Sequence, residues 1–409
     1  MNQSQSSISI RLSIMMFLQF FIWGSWYVTV GNYMAAHGMS DEIKWAYSVG
    51  PMAAIVTPFI LGMIADRFFA TERVLGVLQI VGGLCLCAAP LVVTGAEGNN
   101  ATLFILLLLA HMVCYMPTLG LTNTLAFSHI EDQEKQFPLI RVFGTIGWIV
   151  AGVLVSKVLH ADSTQQPLWI AGGAAILMGF YSFSLPHTPP PSKGKDISIR
   201  DILCLDAMGM LKDSSFLVFM LSSLLICIPL AAYYAYAPVY VGQVGFADPA
   251  FNMSFGQMSE IVFMLIMPMF FKRLGVKKML VIGMLAWVVR YGLFAAGAPD
   301  GILWMVLTGI ALHGICYDFF FVTGQIYVDK AAPSKIRGQA QGLLVLVTQG
   351  IGMLVGAQAS GWIYVSFLTE SNTLSPELWQ QFWGIPCIMA AIILVLFALM
   401  FKEQKKALD

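Results

Sequence analysis

Long apolar segments recur through this chain, and they constrain its fold more than any other feature. A helix needs roughly 20 apolar residues to cross a bilayer, and twelve segments meet that length. Hydrophobic residues make up 58% of the sequence and charged residues only 11%, against about 25% charged in an ordinary soluble domain. Because lipid offers the backbone no hydrogen bonds, such segments must form helices. We therefore expect an all-α membrane protein with twelve transmembrane helices.

The predicted spans are joined by short loops, except for one long polar stretch at 187–213. Their expected limits are about 9–33, 44–66, 73–94, 101–127, 137–158, 167–186, 214–241, 254–271, 278–297, 301–328, 337–367 and 379–401. The long stretch predicts an N-terminal six-helix half at 1–190, a cytoplasmic linker at 191–213 and a C-terminal six-helix half at 214–409. Two six-helix repeats around a central site are one common transporter architecture.

Basic residues are distributed unevenly over the loops. With both termini in the cytoplasm, all but four of the 22 lysines and arginines fall on the cytoplasmic side. Of these four, Lys44 and Lys157 lie outside, and Arg141 and Arg290 lie within spans. Since cytoplasmic loops carry an excess of Lys and Arg, both termini and the linker are predicted to be cytoplasmic.

Composition and motifs exclude several classes of function. The net charge of zero argues against nucleic acid as a partner. The seven cysteines form no paired motif, which predicts neither a disulfide framework nor a metal site. No sequence typical of a hydrolase or metalloprotease is present, so we expect a protein that is not an enzyme and needs no cofactor. A passive channel is disfavoured because it has no use for two matching halves.

Two carboxylates lie inside predicted spans, Glu260 and Asp318. An ionisable group at membrane depth costs several kcal/mol and by default marks an ion or substrate path. Gln257 and Glu260 share a helix face, where an amide and a carboxylate can bind vicinal hydroxyls such as those of a ribose. Asp318 can load and release a proton. The structural alternatives are a polar pair that ties span eight to a neighbour and an ion pair that locks two helices.

The two arginines within spans have different expectations. Arg141 can hold a substrate oxygen or keep an acid ionised until substrate arrives. Arg290 fits a structural pair or a snorkelling side chain at least as well as a site role.

Histidines and tryptophans complete the set of candidates. His313 lies five residues before Asp318 and can titrate near neutral pH, although a lone membrane histidine is more often a helix contact. Trp148 follows Arg141 and Thr145 at helical spacing and can stack on a base, a contact that contributes about 1–3 kcal/mol. Its alternative is to fill space between helices.

Several motifs resemble those of known transporters. The turn Gly62-x-x-x-Asp66-Arg67 is similar to the signature loop of the major facilitator superfamily, and so is the run from Pro333 to Gly342 before span eleven. This resemblance implies a conformational latch at Asp66 and Arg67, whose charges pair with helix ends in one state and release them in another.

More specific runs resemble the bacterial nucleoside:proton symporter family of that superfamily, over nearly the whole chain. These runs are Phe17 to Trp26, Tyr115 to Thr124, Phe137 to Trp148, Gln257 to Glu260 and Tyr317 to Phe320. The resemblance implies substrate binding or proton coupling at Arg141, Thr145, Gln257, Glu260 and Asp318. It implies neighbouring site positions at Trp148, His313 and Tyr317.

The expected function is proton-coupled nucleoside uptake across the bacterial inner (cytoplasmic) membrane by alternating access. The expected partners are a nucleoside, protons and the lipid bilayer, with the protein monomeric. Proton coupling is assigned to Glu260 and Asp318. The family's span-seven amides are missing from residues 228–234, which leaves a proton-coupled transporter of another small polar solute, a sugar or a drug, as the alternative.

Overall fold

The computed structural model describes residues 3–60, 69–93, 99–190, 204–333, 336–368 and 373–402. Every regular element in these ranges is helical, as the apolar pattern predicts. Nine of the helices in the described part of the chain are long and apolar enough to cross a membrane. The all-helical membrane fold expected from the sequence is thus confirmed.

The residues group into two units. One unit consists of 1–197 together with 248–254, and the other consists of 198–247 together with 255–409. We refer to them below as the N-terminal and C-terminal units.

Seven α-helices among the described residues build the N-terminal unit. They are α1 (Gln3–Tyr27), α2 (Val30–Ala36), α3 (Ile43–Ile60), α4 (Thr71–Ala88), α5 (Ala101–His129), α6 (Gln133–Gly152) and α7 (Gln166–Ser182). Helix α1 packs along α6 and α7, while α4 packs along α5 and α7.

Glycines set the close approach of α4 and α7. A Cβ atom on Gly83 would lie 2.8 Å from the carbonyl oxygen of Gly172, and one on Gly172 would lie 2.9 Å from that of Gly83. Gly76 and Gly179 approach each other in the same way, about two helical turns from the first pair. Close packing of small residues replaces the hydrophobic effect as the force between helices in lipid.

The described part of the C-terminal unit is also helical, and its first helix, Ser214–Gln243, is largely buried. Its helices are α8 (Ser214–Gln243), α9 (Pro249–Gly297, whose first turns group with the N-terminal unit), α10 (Leu303–Ala311), α11 (His313–Tyr317), α12 (Thr323–Ala331), α13 (Arg337–Val345), α14 (Met353–Phe367) and α15 (Pro376–Met400). Helix α8 packs against α14 and α15. Its buried Tyr236 and Tyr240 lie among the aromatic rings of those helices.

One glycine breaks the long helix α9. Gly275 has φ 69° and ψ 179°, a conformation that glycine adopts without the penalty a side chain would bring. The predicted spans at 254–271 and 278–297 lie on either side of it. The stretch Pro249–Gly297 therefore consists of two helices that meet at a turn at Gly275.

The described part of the chain contains three π-helical segments, which are wider than an α-helix: Val153–Val158, Asp318–Val322 and Leu346–Gly352. Such segments are rare and often lie at functional sites. The second begins at Asp318, one of the two candidate acids.

Two of the sequence expectations fall wholly or partly outside the described residues. The latch residues Asp66 and Arg67 lie in the stretch 61–68. The first part of the linker, 191–203, lies outside as well, and its described end contains a short helix at Ala207–Lys212.

Candidate functional site

Three predicted site residues of the N-terminal unit lie on one stripe of α6. Arg141, Thr145 and Trp148 are spaced by four and three residues, and all three are half-buried. The guanidinium carbon of Arg141 lies 4.1 Å from the centre of the Phe20 ring on α1. That contact fixes the charge over an aromatic face, as a cation–π pair does.

Trp148 belongs to an aromatic cluster that the sequence analysis only partly anticipated. Its ring centre lies 5.6 Å from that of Trp23 on α1, and Trp23 lies 5.7 Å from Tyr115 on α5. Gly24 makes the approach possible, because a Cβ there would lie 3.0 Å from the Trp148 Cα. The cluster presents flat apolar rings of the kind on which a nucleobase stacks.

A buried amide network lies behind this cluster. The Gln19 side-chain amide donates to Thr118 Oγ1 at 2.7 Å, and the Gln79 amide donates to Gln19 Oε1 at 2.9 Å. Tyr115 donates its hydroxyl proton to the Gln19 carbonyl at 2.5 Å. Satisfied buried networks specify one arrangement of helices. Sequence analysis missed this network, although three polar residues inside apolar spans were its signal.

In the C-terminal unit, the backbones of α9 and α11 cross beside Glu260. The Gly314 N–H donates to Ser259 Oγ at 3.0 Å, and Ser259 donates to the Gly256 carbonyl at 2.8 Å. A Cβ on Gly314 would lie 2.6 Å from the Ser259 carbonyl group. The crossing places the half-buried Gln257 and Glu260 next to the segment that carries the second acid.

Asp318 is fully buried, with 0% of its surface exposed. Neither of its carboxylate oxygens has a hydrogen-bond partner in the described part of the chain. A buried carboxylate without hydrogen bonds is strongly disfavoured in its charged form, so this environment suits a group that holds a proton for part of its working cycle.

His313 and Tyr317 flank the acid on the same stretch of helix. The His313 ring is buried and stacks on Tyr233 of α8, with ring centres 5.4 Å apart and 19° between the planes. Tyr317 is half-buried, and its ring centre lies 5.7 Å from that of His313. The structure thus brings together five predicted residues of this unit: Gln257, Glu260, His313, Tyr317 and Asp318.

Arg290 joins this group in a way that sequence analysis left open. It is 0% exposed, and its guanidinium carbon lies 4.0 Å from the centre of the Tyr233 ring. A snorkelling side chain would reach water, so that expectation is wrong. Tyr233 was not among the predicted residues, and an aromatic in an apolar span carries no signal of such a role.

A buried acid, Asp318, and a buried arginine, Arg290, inside a bundle of apolar helices are typical of a membrane transporter. Comparison with known proteins agrees, because a family model described as "Nucleoside H+ symporter" matches residues 6–406. The chain belongs to the nucleoside H+ symporter family. This membership confirms the function expected from the sequence, proton-coupled uptake of a nucleoside, and identifies a multi-pass membrane protein.

Relatives of known name cover nearly the whole chain. YegT of Escherichia coli (strain K12), a protein assigned to nucleoside transport, is 42% identical over 96% of this chain and 94% of its own length. Xanthosine permease of the same organism is 33% identical over 97% and 96%. Nucleoside permease NupG of that organism is 31% identical over 97% of both chains.

Solved structures show the same architecture. A crystal structure of the nucleoside transporter NupG has a TM-score of 0.86 and 28% identity, and it covers 99% of this chain and 100% of its own. A D-xylose-proton symporter has a TM-score of 0.72 at 12% identity, covering 97% and 98%, which shows the shared fold alone.

Proposed function

We propose that this protein imports nucleosides across the bacterial cytoplasmic membrane by alternating access, with Asp318 as its proton site. The observation that carries the proposal is the complete burial of Asp318 without a hydrogen-bonding side chain or backbone group among the described residues. Neutralising a buried acid lowers the cost of closing the protein around it. Binding a proton and a nucleoside together then favours the change of state that delivers both.

Substrate contacts are proposed for two sets of residues. On α6, Arg141 and Thr145 supply a cation and a hydroxyl to nucleoside oxygens, and Trp148 supplies a stacking face. On α9, Gln257 and Glu260 bind the ribose hydroxyls, because an amide and a carboxylate together both donate and accept. Glu260 shares proton coupling with Asp318, because the contact between Ser259 and Gly314 brings the helix of Glu260 beside the stretch that carries Asp318.

His313 and Tyr317 are proposed as supporting site residues. The stack of His313 on Tyr233 holds the helix that carries Asp318 in a fixed rotation. Tyr317 is half-buried next to Asp318, where its ring can cover a bound base.

The membrane topology is proposed as twelve spans with both termini in the cytoplasm. Nine helices meet strict length and hydropathy limits in the described ranges. Helix α9, with 49 residues and a break at Gly275, is long enough for two spans at 1.5 Å per residue. Counting α9 as two spans gives ten spans. Helices α3 and α7, with 18 and 17 residues, complete the twelve.

The remaining proposals concern organisation. We assign the six-helix halves to 1–190 and 214–409, joined by a cytoplasmic linker at 191–213. Asp66 and Arg67 form the latch that is released as the protein changes state. The working protein is a monomer without a nucleic-acid partner.

Asp318→Asn tests the proton assignment, because asparagine resembles a permanently protonated aspartate. The variant in proteoliposomes is expected to exchange labelled for unlabelled nucleoside, since exchange needs no net proton movement. It should fail to accumulate nucleoside against a gradient. Asp300→Asn, which changes an exposed loop carboxylate, is the matched control and should behave as the wild type.

Glu260→Gln is measured in the same assays. It is expected to keep the wild-type melting temperature and to lose the accumulation of nucleoside against a gradient. Loss of exchange and of accumulation in Asp318→Asn, with a lower melting temperature, would make Asp318 a structural group. Wild-type accumulation in Glu260→Gln would remove Glu260 from the coupling machinery.

A second candidate substrate class is another small polar solute, a sugar or a drug. The observation in its favour is α8, where residues 228–234 offer no side-chain amide. A thermal-shift screen of nucleosides, bases and sugars on the purified protein decides between them. A ligand at 100 times its Kd stabilises the folded state by about 2.7 kcal/mol, so nucleosides alone should raise the melting temperature.

A further inference from the structure

A groove of about 760 Å³ lies on the surface of the N-terminal unit, lined by α1, α6 and α7. Helices α6 and α7 both pack along α1. The lining includes large apolar side chains that the protein leaves open, such as Leu139 and Leu177, which are 68% and 59% exposed. Exposed apolar surface of this kind marks an interaction site, and on a membrane-spanning helix it faces lipid.

The packing of α1 against α6 explains why the groove exists. A Cβ atom on Gly147 would collide with the Phe17 carbonyl group, and one on Gly144 would lie 2.6 Å from the Phe20 ring. Toward the N-terminal end of α1 the larger Leu139 takes the place of these glycines, and the groove opens there. An empty gap loses packing contacts, and water does not fill an apolar cavity. A flexible hydrocarbon chain is therefore the fitting occupant.

The lining of the groove changes from polar to apolar along its length. Ser6, Ser9 and Gln136 lie where α1 and α6 begin, and Phe17 and Leu18 lie at the other end. From residue 6 to residue 18 the groove covers about 18 Å at 1.5 Å per residue, close to the roughly 15 Å of hydrocarbon in one leaflet. A molecule with a polar head and an acyl chain matches both the gradient and the length.

Ser9 presents a polar atom without a partner in this groove. Its hydroxyl oxygen is buried and has no hydrogen-bond partner among the described residues. Other helical serines of this unit, such as Ser48 and Ser182, donate to the carbonyl oxygen four residues before them. Leaving a buried hydroxyl unpaired costs about 1–3 kcal/mol, so an ester or phosphate oxygen is a suitable acceptor for Ser9.

Arg11 brings positive charge to the rim of the groove. Its carbonyl oxygen accepts a hydrogen bond from the hydroxyl of the lining residue Tyr181 at 3.0 Å. Helical side chains lean toward the N-terminus of their helix, so the half-buried Arg11 extends toward the polar end of the groove. Within the described ranges Arg11 forms no ion pair with a carboxylate. The complementary head group is therefore an anion.

We propose that this groove binds one anionic phospholipid, with an acyl chain between α1 and α6 and its phosphate beside Arg11 and Ser9. The acyl chain fills the gap next to the close contact of the two helices. The same pair of helices carries the contact of Arg141 with Phe20, so the lipid supports the arrangement of the proposed substrate contacts from outside. Only this effect on transport rests on the proposed function, and lipid binding does not.

Native mass spectrometry of the detergent-purified protein tests the lipid site. The wild type should bind one phosphatidylglycerol more tightly than one phosphatidylethanolamine. Leu177→Trp fills the groove and should lose this binding. Leu106→Trp, which enlarges an exposed leucine of α5 that does not line the groove, is the matched control and should keep it. Arg11→Gln should weaken phosphatidylglycerol binding about fivefold, as expected for one basic residue near an anionic lipid surface, and leave phosphatidylethanolamine binding unchanged.

Three results would overturn the proposal. Equal phosphatidylglycerol binding by Leu177→Trp and Leu106→Trp would reduce the lipid to nonspecific contact with apolar surface. Displacement of phosphatidylglycerol by inorganic phosphate would indicate an anion site that holds no acyl chain. A dimer of the wild type that Leu177→Trp abolishes would assign this face to a second copy of the chain.

Uptake into proteoliposomes tests the effect on transport. Adding phosphatidylglycerol to phosphatidylethanolamine vesicles should speed nucleoside uptake by the wild type and by Leu106→Trp, and should do so less for Leu177→Trp. An equal response of all three proteins would show that the bound lipid does not support transport. If none of them takes up nucleoside, the proposed function fails, while the mass spectra still decide the lipid site.

Discussion

At the scale of single residues, burial separates acids that the sequence treats alike. Asp318 is fully buried, while Glu260 is half-buried beside Gln257. Both were predicted as coupling residues because both interrupt apolar segments. The difference fits two roles, in which the more accessible Glu260 contacts the substrate and the buried Asp318 holds the proton.

A carboxylate outside the spans gives a pH prediction of its own. The hydrogen bond from the Lys157 ammonium, at 2.8 Å, holds the pKa of Asp248 below its usual value, against the opposing effect of burial, and His160 adds to the lowering. Because the pKa is lower in the folded state, the Asp248 carboxylate contributes stability above its unfolded pKa of about 4. That contribution is lost as the pH falls through the folded value.

We therefore expect Asp248→Asn to melt below the wild type at pH 6, with the difference shrinking on acidification below about pH 4. Lys157 is 55% exposed, so solvent screening limits the effect to about 1 kcal/mol or less. Melting temperatures of both proteins across this range are the measurement, and Asp300→Asn is the control. A difference that grows as the pH falls would contradict the assigned sign.

At the scale of elements, one helix crossing positions the C-terminal site. The backbones of α9 and α11 meet at Ser259 and Gly314, where the hydroxyl of Ser259 accepts the Gly314 N–H. The crossing fixes the distance between the helix of Glu260 and the helix of Asp318. No helix propensity or hydropathy value indicates that Gly314 is the contact point.

Gly314→Ala is expected to damage transport through this crossing. Its Cβ would lie 2.6 Å from the Ser259 carbonyl group, so the helices must separate, and overpacking of this kind costs about 1–3 kcal/mol. Nucleoside uptake should fall about tenfold or more, the factor that 1.4 kcal/mol represents, with a lower melting temperature.

Gly384→Ala on α15 is the matched control, because nothing lies within 4 Å of its Cβ position. It should keep full uptake and can gain stability, since alanine favours a helix over glycine by about 1 kcal/mol. Equal behaviour of the two variants would show that the crossing tolerates separation.

At the scale of the whole molecule, the proposed topology makes opposite predictions for two loops. Position 194 lies in the proposed cytoplasmic linker, outside the described residues, and Asp300 lies in a loop proposed to face outward. An impermeant thiol reagent added to intact cells should label Asp300→Cys and leave Gly194→Cys unlabelled, in a background with the seven native cysteines replaced. Labelling of Gly194→Cys from outside would contradict the proposed twelve-span topology with a cytoplasmic linker.

The sequence by itself determined the class of fold, the approximate helix limits and the family. Hydropathy is a sum over neighbouring residues, so it locates apolar helices such as Ala101–His129 without knowledge of what they contact. Charges such as Glu260 and Asp318 stand out for the same reason, because each is costly wherever its helix packs.

Only the tertiary structure decided which groups meet. The stack of Arg290 on Tyr233, the Gln19–Gln79–Thr118 network and the crossing at Gly314 each join residues from different helices. Their partners are far apart in the chain, and helices packing in lipid choose their contacts by shape and by hydrogen bonds rather than by hydropathy. For that reason the sequence predicted that Asp318 matters, while the structure alone showed that it is fully buried and that a buried arginine, Arg290, lies on Tyr233 in the same unit.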